Sequence, residues 1–110
     1  MSERPKTEKG VRLSSLRAEA LTALHLTHSI YRKHNEELVI TATVDGAFSN
    51  GSLHLVGLAF NCSTSNLSNV SAKDLLTEIR AFTSGIDPCI KVSAGPKGEI
   101  HVEYDRRVQN

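Results

Sequence analysis

The sequence predicts an α+β fold, a small antiparallel sheet with helices packed on one side. Three observations predict it. Two stretches carry apolar residues at helical spacing, short β-branched or apolar runs lie between and after them, and the last two runs are joined by a Gly- and Pro-containing turn. The order helix, strand, irregular strand, helix and hairpin suits an antiparallel sheet covered on one side.

Residues 1–12 are polar, with Pro5 and Gly10 and no apolar period, so nothing in them offsets the entropy of ordering. They are expected to form a flexible N-terminal arm that orders on a partner if at all, with residues 13–110 as a single domain. From Leu13 the apolar positions Leu13, Leu16, Ala20, Leu24 and Tyr31 define one face of an amphipathic helix ending near His34-Asn35. Leu38 to Thr43 is short and β-branched, a strand, and is followed by the turn residues Asp45-Gly46 and Ser49-Asn50-Gly51-Ser52. Leu53 to Phe60 reads as a buried strand or short helix, and Ser63 to Ser71 as an irregular Ser/Asn-rich loop. Ser71-Ala72-Lys73-Asp74 has capping-box spacing, and Leu75, Leu76, Ile79 and Phe82 continue a second helix until Gly85. Cys89 to Ser93 and Glu99 to Tyr104 should pair as a hairpin through Ala94-Gly95-Pro96-Lys97-Gly98.

A chain of 110 residues supports one core and one site. Thirteen basic against twelve acidic residues give a net charge of +1, with no general pull toward nucleic acid or an anionic membrane. No run approaches the roughly 18 apolar residues of a membrane span. The basic start lacks an apolar core and a small-residue cleavage site, so a cytoplasmic location is expected. Cys62 and Cys89 are not in CxxC spacing, which excludes a zinc knuckle and predicts free, buried thiols. Asn-x-Ser triplets begin at Asn50, Asn61, Asn66 and Asn69 and mark a Ser/Asn-rich middle. Neither GxxxxGK nor GxGxxG occurs, which argues against the common nucleotide-hydrolysing folds.

His25, His28 and His34 lie on the first predicted helix, and His25 and His28 stand three apart, close enough to share a face. With no carboxylate or third ligand at a fixed spacing, a helix surface explains them. The more informative residues are Asp45-Gly46, the stretch Ser52-Leu53-His54-Leu55-Val56-Gly57-Leu58-Ala59-Phe60-Asn61, and the late Ile100-His101-Val102-Glu103-Tyr104-Asp105. Taken alone, His54 reads as a core histidine, and the glycines as turn and close-packing positions.

Together these segments resemble the S-x-H-x-x-G-x-A-x-D signature and late histidine strand of the zinc D-alanyl-D-alanine carboxypeptidases and phage endolysin-type endopeptidases. The resemblance spans roughly residues 15 to 107. It implies a zinc held by the signature histidine, an aspartate seven residues on and the late histidine, with a fourth position open for water. His54 and His101 occupy the histidine positions, with Ser52, Gly57 and Ala59 also matching. The aspartate position is Asn61, a neutral amide of weaker donor strength, so zinc is expected to be weak or absent. The acid/base carboxylate position is Gly98, with Glu99 one residue off as the candidate catalytic group. Glu99, His101 and Glu103 share a face of a strand. Phe48 and Ser63 stand where the family commonly has a histidine and an arginine.

Functional positions have thus changed while scaffold positions remain, the pattern of a fold kept without normal catalysis. The resemblance implies a phage or bacterial protein that binds a small ligand or peptide, peptidoglycan fragments among them, in a cleft lined by Ser52, His54, Asn61 and His101. A weak zinc peptidase acting on wall peptides is the second expectation. The third is a structural or inhibitory module that contacts a host protein or a second copy of itself, and the polar arm suits it.

Overall fold

The computed structural model describes residues 5–43 and 58–105, and the elements run in the order β1 (Lys6–Thr7), a 3-10 turn (Leu13–Ser15), α1 (Ala18–Lys33), β2 (Val39–Ala42), β3 (Ala59–Cys62), α2 (Ala72–Ile86), β4 (Ile90–Ala94) and β5 (Ile100–Tyr104). The class is α+β, five strands in one sheet with two helices. Strand order is β1-β2-β3-β5-β4.

Strand alternation sends Ile40, Phe60, Cys62, Ile90, Val92, Ile100 and Val102 to one face. There they meet Leu16, Ala20, Ala23, Leu24, Ile30 and Tyr31 of the α1 region and Leu75 and Ile79 of α2, forming one continuous core. Most apolar positions read from the sequence are buried here, but Phe82 of α2 is 39% exposed, and Leu13 and Leu76 are only partly buried. Two buried hydroxyls add no unmet donor, because Thr27 donates to the Ala23 carbonyl and Thr83 to that of Ile79, both at 2.8 Å. Cys62 and Cys89 are free and buried, as their spacing predicts.

The sheet is mixed, which corrects the expectation of a wholly antiparallel one: β1 pairs parallel with β2, Lys6 opposite Val39 and Thr7 opposite Ile40. Lys6 N–H donates to the Leu38 carbonyl (2.8 Å) and Glu8 N–H to that of Ile40 (2.9 Å), while the Lys6 ammonium stands 3.2 Å from Glu37. These bonds run through the backbone, so they leave no hydrophobic pattern in the sequence to read. Part of the polar start is therefore ordered along the sheet edge, with α1 as the crossover between the two parallel strands.

The loop between β3 and α2 is irregular, as its composition predicts, but its organisation rests on the end of α1. That helix closes with Asn35 at φ 55°, Glu36 N–H reaching the Tyr31 carbonyl (2.9 Å) and Asn35 N–H that of Arg32 (3.0 Å). Asn69 Nδ2 caps the His34 and Asn35 carbonyls at 2.9 and 3.1 Å. In return Glu36, only 2% exposed, accepts from the N–H groups of Ser68 (2.9 Å), Asn69 (2.6 Å) and Val70 (3.2 Å). Burial, the largest single influence, raises its carboxyl, but those N–H donors together outweigh it and leave Glu36 below the usual glutamate range. The phenol of Tyr31 adds a bond to the Ser63 carbonyl at 3.1 Å.

At the start of α2, Ser71 accepts from Asp74 N–H at 3.1 Å, the predicted cap. The helix passes through Gly85 and ends at Ile86, because Asp87 N–H still reaches the Thr83 carbonyl at 2.8 Å. Glycine costs a helix only about 1 kcal/mol and does not by itself stop one.

Candidate functional site

The face of the sheet opposite the helices is polar. On β3 and β5, the residues between the core positions are Ala59 and Asn61, and His101 and Glu103. The antiparallel register sets Asn61 directly across from His101, and on the other side of β5 Ser93 faces His101 and Lys91 faces Glu103. His101 Nδ1 lies 2.7 Å from Asn61 Oδ1, and Nε2 lies 2.8 Å from Glu103 Oε1. Both are hydrogen-bond distances. Each ring nitrogen thus has one oxygen within hydrogen-bond reach, and which of them donates follows the ring's tautomer. The histidine and Glu103 are about three-quarters buried, their side chains 23% and 25% exposed.

Beside Asn61 lies a half-open groove of ≈ 420 Å³. Its walls come from the start of the chain (Glu8), from β2 (Thr41, Ala42), from β3 and the residues after it (Asn61, Ser63, Thr64, Ser65) and from the hairpin turn (Lys97, Glu99). A register shift in β2 between Ile40 and Ala42 brings Ala42 opposite Asn61. Thr64 fastens the loop to the hairpin by donating to the Gly98 carbonyl at 3.0 Å. Gly98 itself holds φ 83°, a conformation that favours glycine.

Glu99 precedes β5 on the same face, but its carboxylate bends over the turn and accepts from Lys97 N–H at 2.9 Å. A Cβ at Gly95 would come within 2.4 Å of that carboxyl, so glycine there leaves room for the bend. Of the residues proposed from sequence for the site, the structure therefore joins Asn61 to His101, puts Glu103 on the ring, and ties Glu99 to the turn. Ser52 and His54 lie outside the described residues, as do Phe48, Gly57 and the Asp45-Gly46 turn. The groove residues Glu8, Thr41, Ser63 and Lys97 carry no motif. Strand alternation alone would have placed Ser63 on the face of Asn61.

A catalytic zinc needs about three protein ligands; of the positions that the resemblance implies, Asn61 and His101 are within hydrogen-bond distance of each other, and His54 lies outside the described residues. Among the described residues, no three of His, Cys, Asp and Glu converge as they would around a metal ion.

His25 is exposed and His28 is 7% exposed, its imidazole lowered by burial first and then by Arg32 and His25. His34 Nε2 meets Glu78 Oε1 at 2.7 Å, and Lys33 and then His34 hold the Glu78 carboxyl below its usual range. Burial pushes the Cys62 thiol up, away from the thiolate a nucleophile needs. No described helix is long and apolar enough to cross a membrane. No family, curated protein or solved structure matches the chain.

Proposed function

We propose that the chain is a binding protein on a scaffold of the D-alanyl-D-alanine peptidase type, taking a small ligand or peptide in the groove beside Asn61 and His101 without running zinc hydrolysis. The observation that supports this reading is the 2.7 Å contact between Asn61 and His101 across β3 and β5. Those are the positions at which the resembling family carries two of its zinc ligands. Here one is an amide and the other is held by hydrogen bonds on both sides. The polar groove alongside keeps the hydroxyls, amide and charges that orient a small ligand. Peptidoglycan fragments are the ligands that the resemblance suggests.

The test is zinc per purified chain for the parent, Asn61→Asp and His54→Ala, together with titration of soluble peptidoglycan fragments followed by NMR. The expected result is well under one zinc in the parent, an increase in Asn61→Asp, and fragment-induced shifts at Asn61 and His101. About one tightly held zinc in the parent, with hydrolysis of wall peptides above the His54→Ala background, would replace this reading with that of a zinc peptidase.

A further inference from the structure

β4 stands at one end of the sheet, with β5 on one side of it and no strand on the other. Gly95 N–H donates to the Glu99 carbonyl at 2.7 Å and Asp105 N–H to that of Cys89 at 2.8 Å, so in the β4–β5 register Cys89, Lys91, Ser93 and Gly95 bond inward. Ile90, Val92 and Ala94 therefore turn their backbone groups to the open edge. Two of those groups are met from within the chain. Ile90 N–H donates to the Asp87 carbonyl at 3.0 Å, and the Val92 carbonyl accepts from Arg80 Nε of α2 at 3.0 Å. The Val92 and Ala94 N–H groups and the Ile90 carbonyl have no partner among the described residues. We infer that this edge is a self-pairing surface that fits β4 of a second copy of the chain, and that Arg80 keeps it shut by holding the carbonyl at its centre. None of these residues lines the groove beside Asn61.

The sequence of β4 selects both the partner and the register. Set antiparallel about a two-fold axis at Val92, two copies align the whole of Ile90–Ala94: Val92 meets Val92 of the second copy, Ile90 meets Ala94, and Lys91 meets Ser93. The outward groups then bond in pairs, Val92 N–H to the carbonyl of the other Val92 and Ala94 N–H to that of Ile90. Sliding by two residues toward the start of the strand sets Lys91 against Lys91 and brings Pro88 opposite Ala94, whereas sliding the other way brings Pro96 opposite Ile90. Like charges directly opposite are destabilising, and proline has no N–H to give. At the register centred on Val92 neither obstacle arises, and the one that remains is Arg80. Its guanidinium occupies the carbonyl that each central bond needs. The two-fold would also bring the Arg80 groups of both copies to the axis, like charge to like charge. A charged side chain laid over an open edge is a common means by which a sheet avoids pairing with another chain.

The experiment measures self-association by sedimentation equilibrium and amide exchange by NMR, on the full chain, for the parent and for Arg80→Met, which keeps an apolar stem and removes the donor and the charge. In the parent, the Val92 and Ala94 amides are expected to exchange fast beside protected Lys91 and Ser93 amides, with no pairing through β4. Arg80→Met should dimerise at least about tenfold more tightly than the parent, and its Val92 and Ala94 amides should slow as concentration rises. Arg80→Ala, a second helix-compatible change, should behave in the same way. Adding Ala94→Pro to Arg80→Met removes one outward N–H without touching the bonds to β5, and should return association to the level of the parent. A parent that already pairs with its Val92 and Ala94 amides protected would overturn the inference, because Arg80 would then shut nothing. Arg80→Met and Arg80→Ala chains that associate no more tightly than the parent, or a dimer that Ala94→Pro leaves intact, would overturn it as well, because β4 would not be the pairing surface.

Discussion

Phe60 and Asn61 are neighbours in the chain and point to opposite faces of the same strand. Phe60 is 0% exposed among Ile40, Ile100 and Val102, while Asn61 sits on the polar face against His101. The comparison separates two kinds of constraint. Phe60 belongs to the continuous apolar core, where the requirement is volume. In front of Asn61 the requirement is the direction of donors and acceptors, and volume is nearly irrelevant.

The largest expected effect is on the covered face. Phe60→Ala removes a fully buried ring from the centre of the core and should cost about 3–5 kcal/mol, read as a lower denaturant midpoint or melting temperature. A loss under about 1 kcal/mol would mean that the core does not close around β3 as described, and the contrast between the faces would fail with it.

Glu36 sharpens the comparison, because it is a buried carboxylate whose requirement is direction rather than volume. It is buried as deeply as the core, yet its environment is made of N–H groups from Ser68, Asn69 and Val70. Glu36→Gln keeps the shape and loses the charge, and should cost about 2–3 kcal/mol, the scale of a few charge-assisted bonds. The pH dependence has a definite sign. A carboxyl lowered in the folded state contributes stability that is present above the ordinary value of 4.5 and is lost as pH falls through the folded value. Acid unfolding of the parent should therefore steepen below that point, and Glu36→Gln should flatten it. His28 acts in a higher window: its imidazole is lowered by burial, so stability declines as pH falls below 6.5, where the unfolded chain takes up a proton that the folded chain resists. His28→Gln should remove that shallower slope and leave the lower one.

The difference between the faces also explains what was legible in the sequence. Apolar spacing marks volume, so Leu16, Leu24, Tyr31, Leu75 and Ile79 could be named before the fold was known, and the Ser71 cap was written in its own tetrapeptide. Ser71→Ala should cost about 1 kcal/mol, a local effect that thermal melts resolve. Direction leaves no such mark. The parallel strand at Lys6–Thr7 is held by its backbone, and the Glu36 staple joins residues more than thirty apart, so neither has a pattern. On the polar face the resemblance picked out Asn61 and His101 without saying how they meet. Strand alternation put Glu99 and Glu103 equally on that face, and only the tight turn over Gly95, drawing Glu99 to Lys97 N–H, separates the two carboxylates.

The smallest expected change in stability is the most discriminating. His101→Gln removes the ring that joins Asn61 to Glu103, but the site is only partly buried and the pair sits on the outer face, so the cost should be under about 1 kcal/mol. If direction governs this face, the same substitution should still disturb the Asn61 side-chain resonances and any ligand response there, even though the melting curve barely moves. A loss as large as that of Phe60→Ala would mean that the Asn61-His101-Glu103 string holds the sheet together, and its polar groups would then belong with Glu36 among the structural staples. Little change in stability combined with an altered Asn61 amide would separate the two faces cleanly, one kept by packing and the other by the orientation of a few polar atoms that the fold does not need.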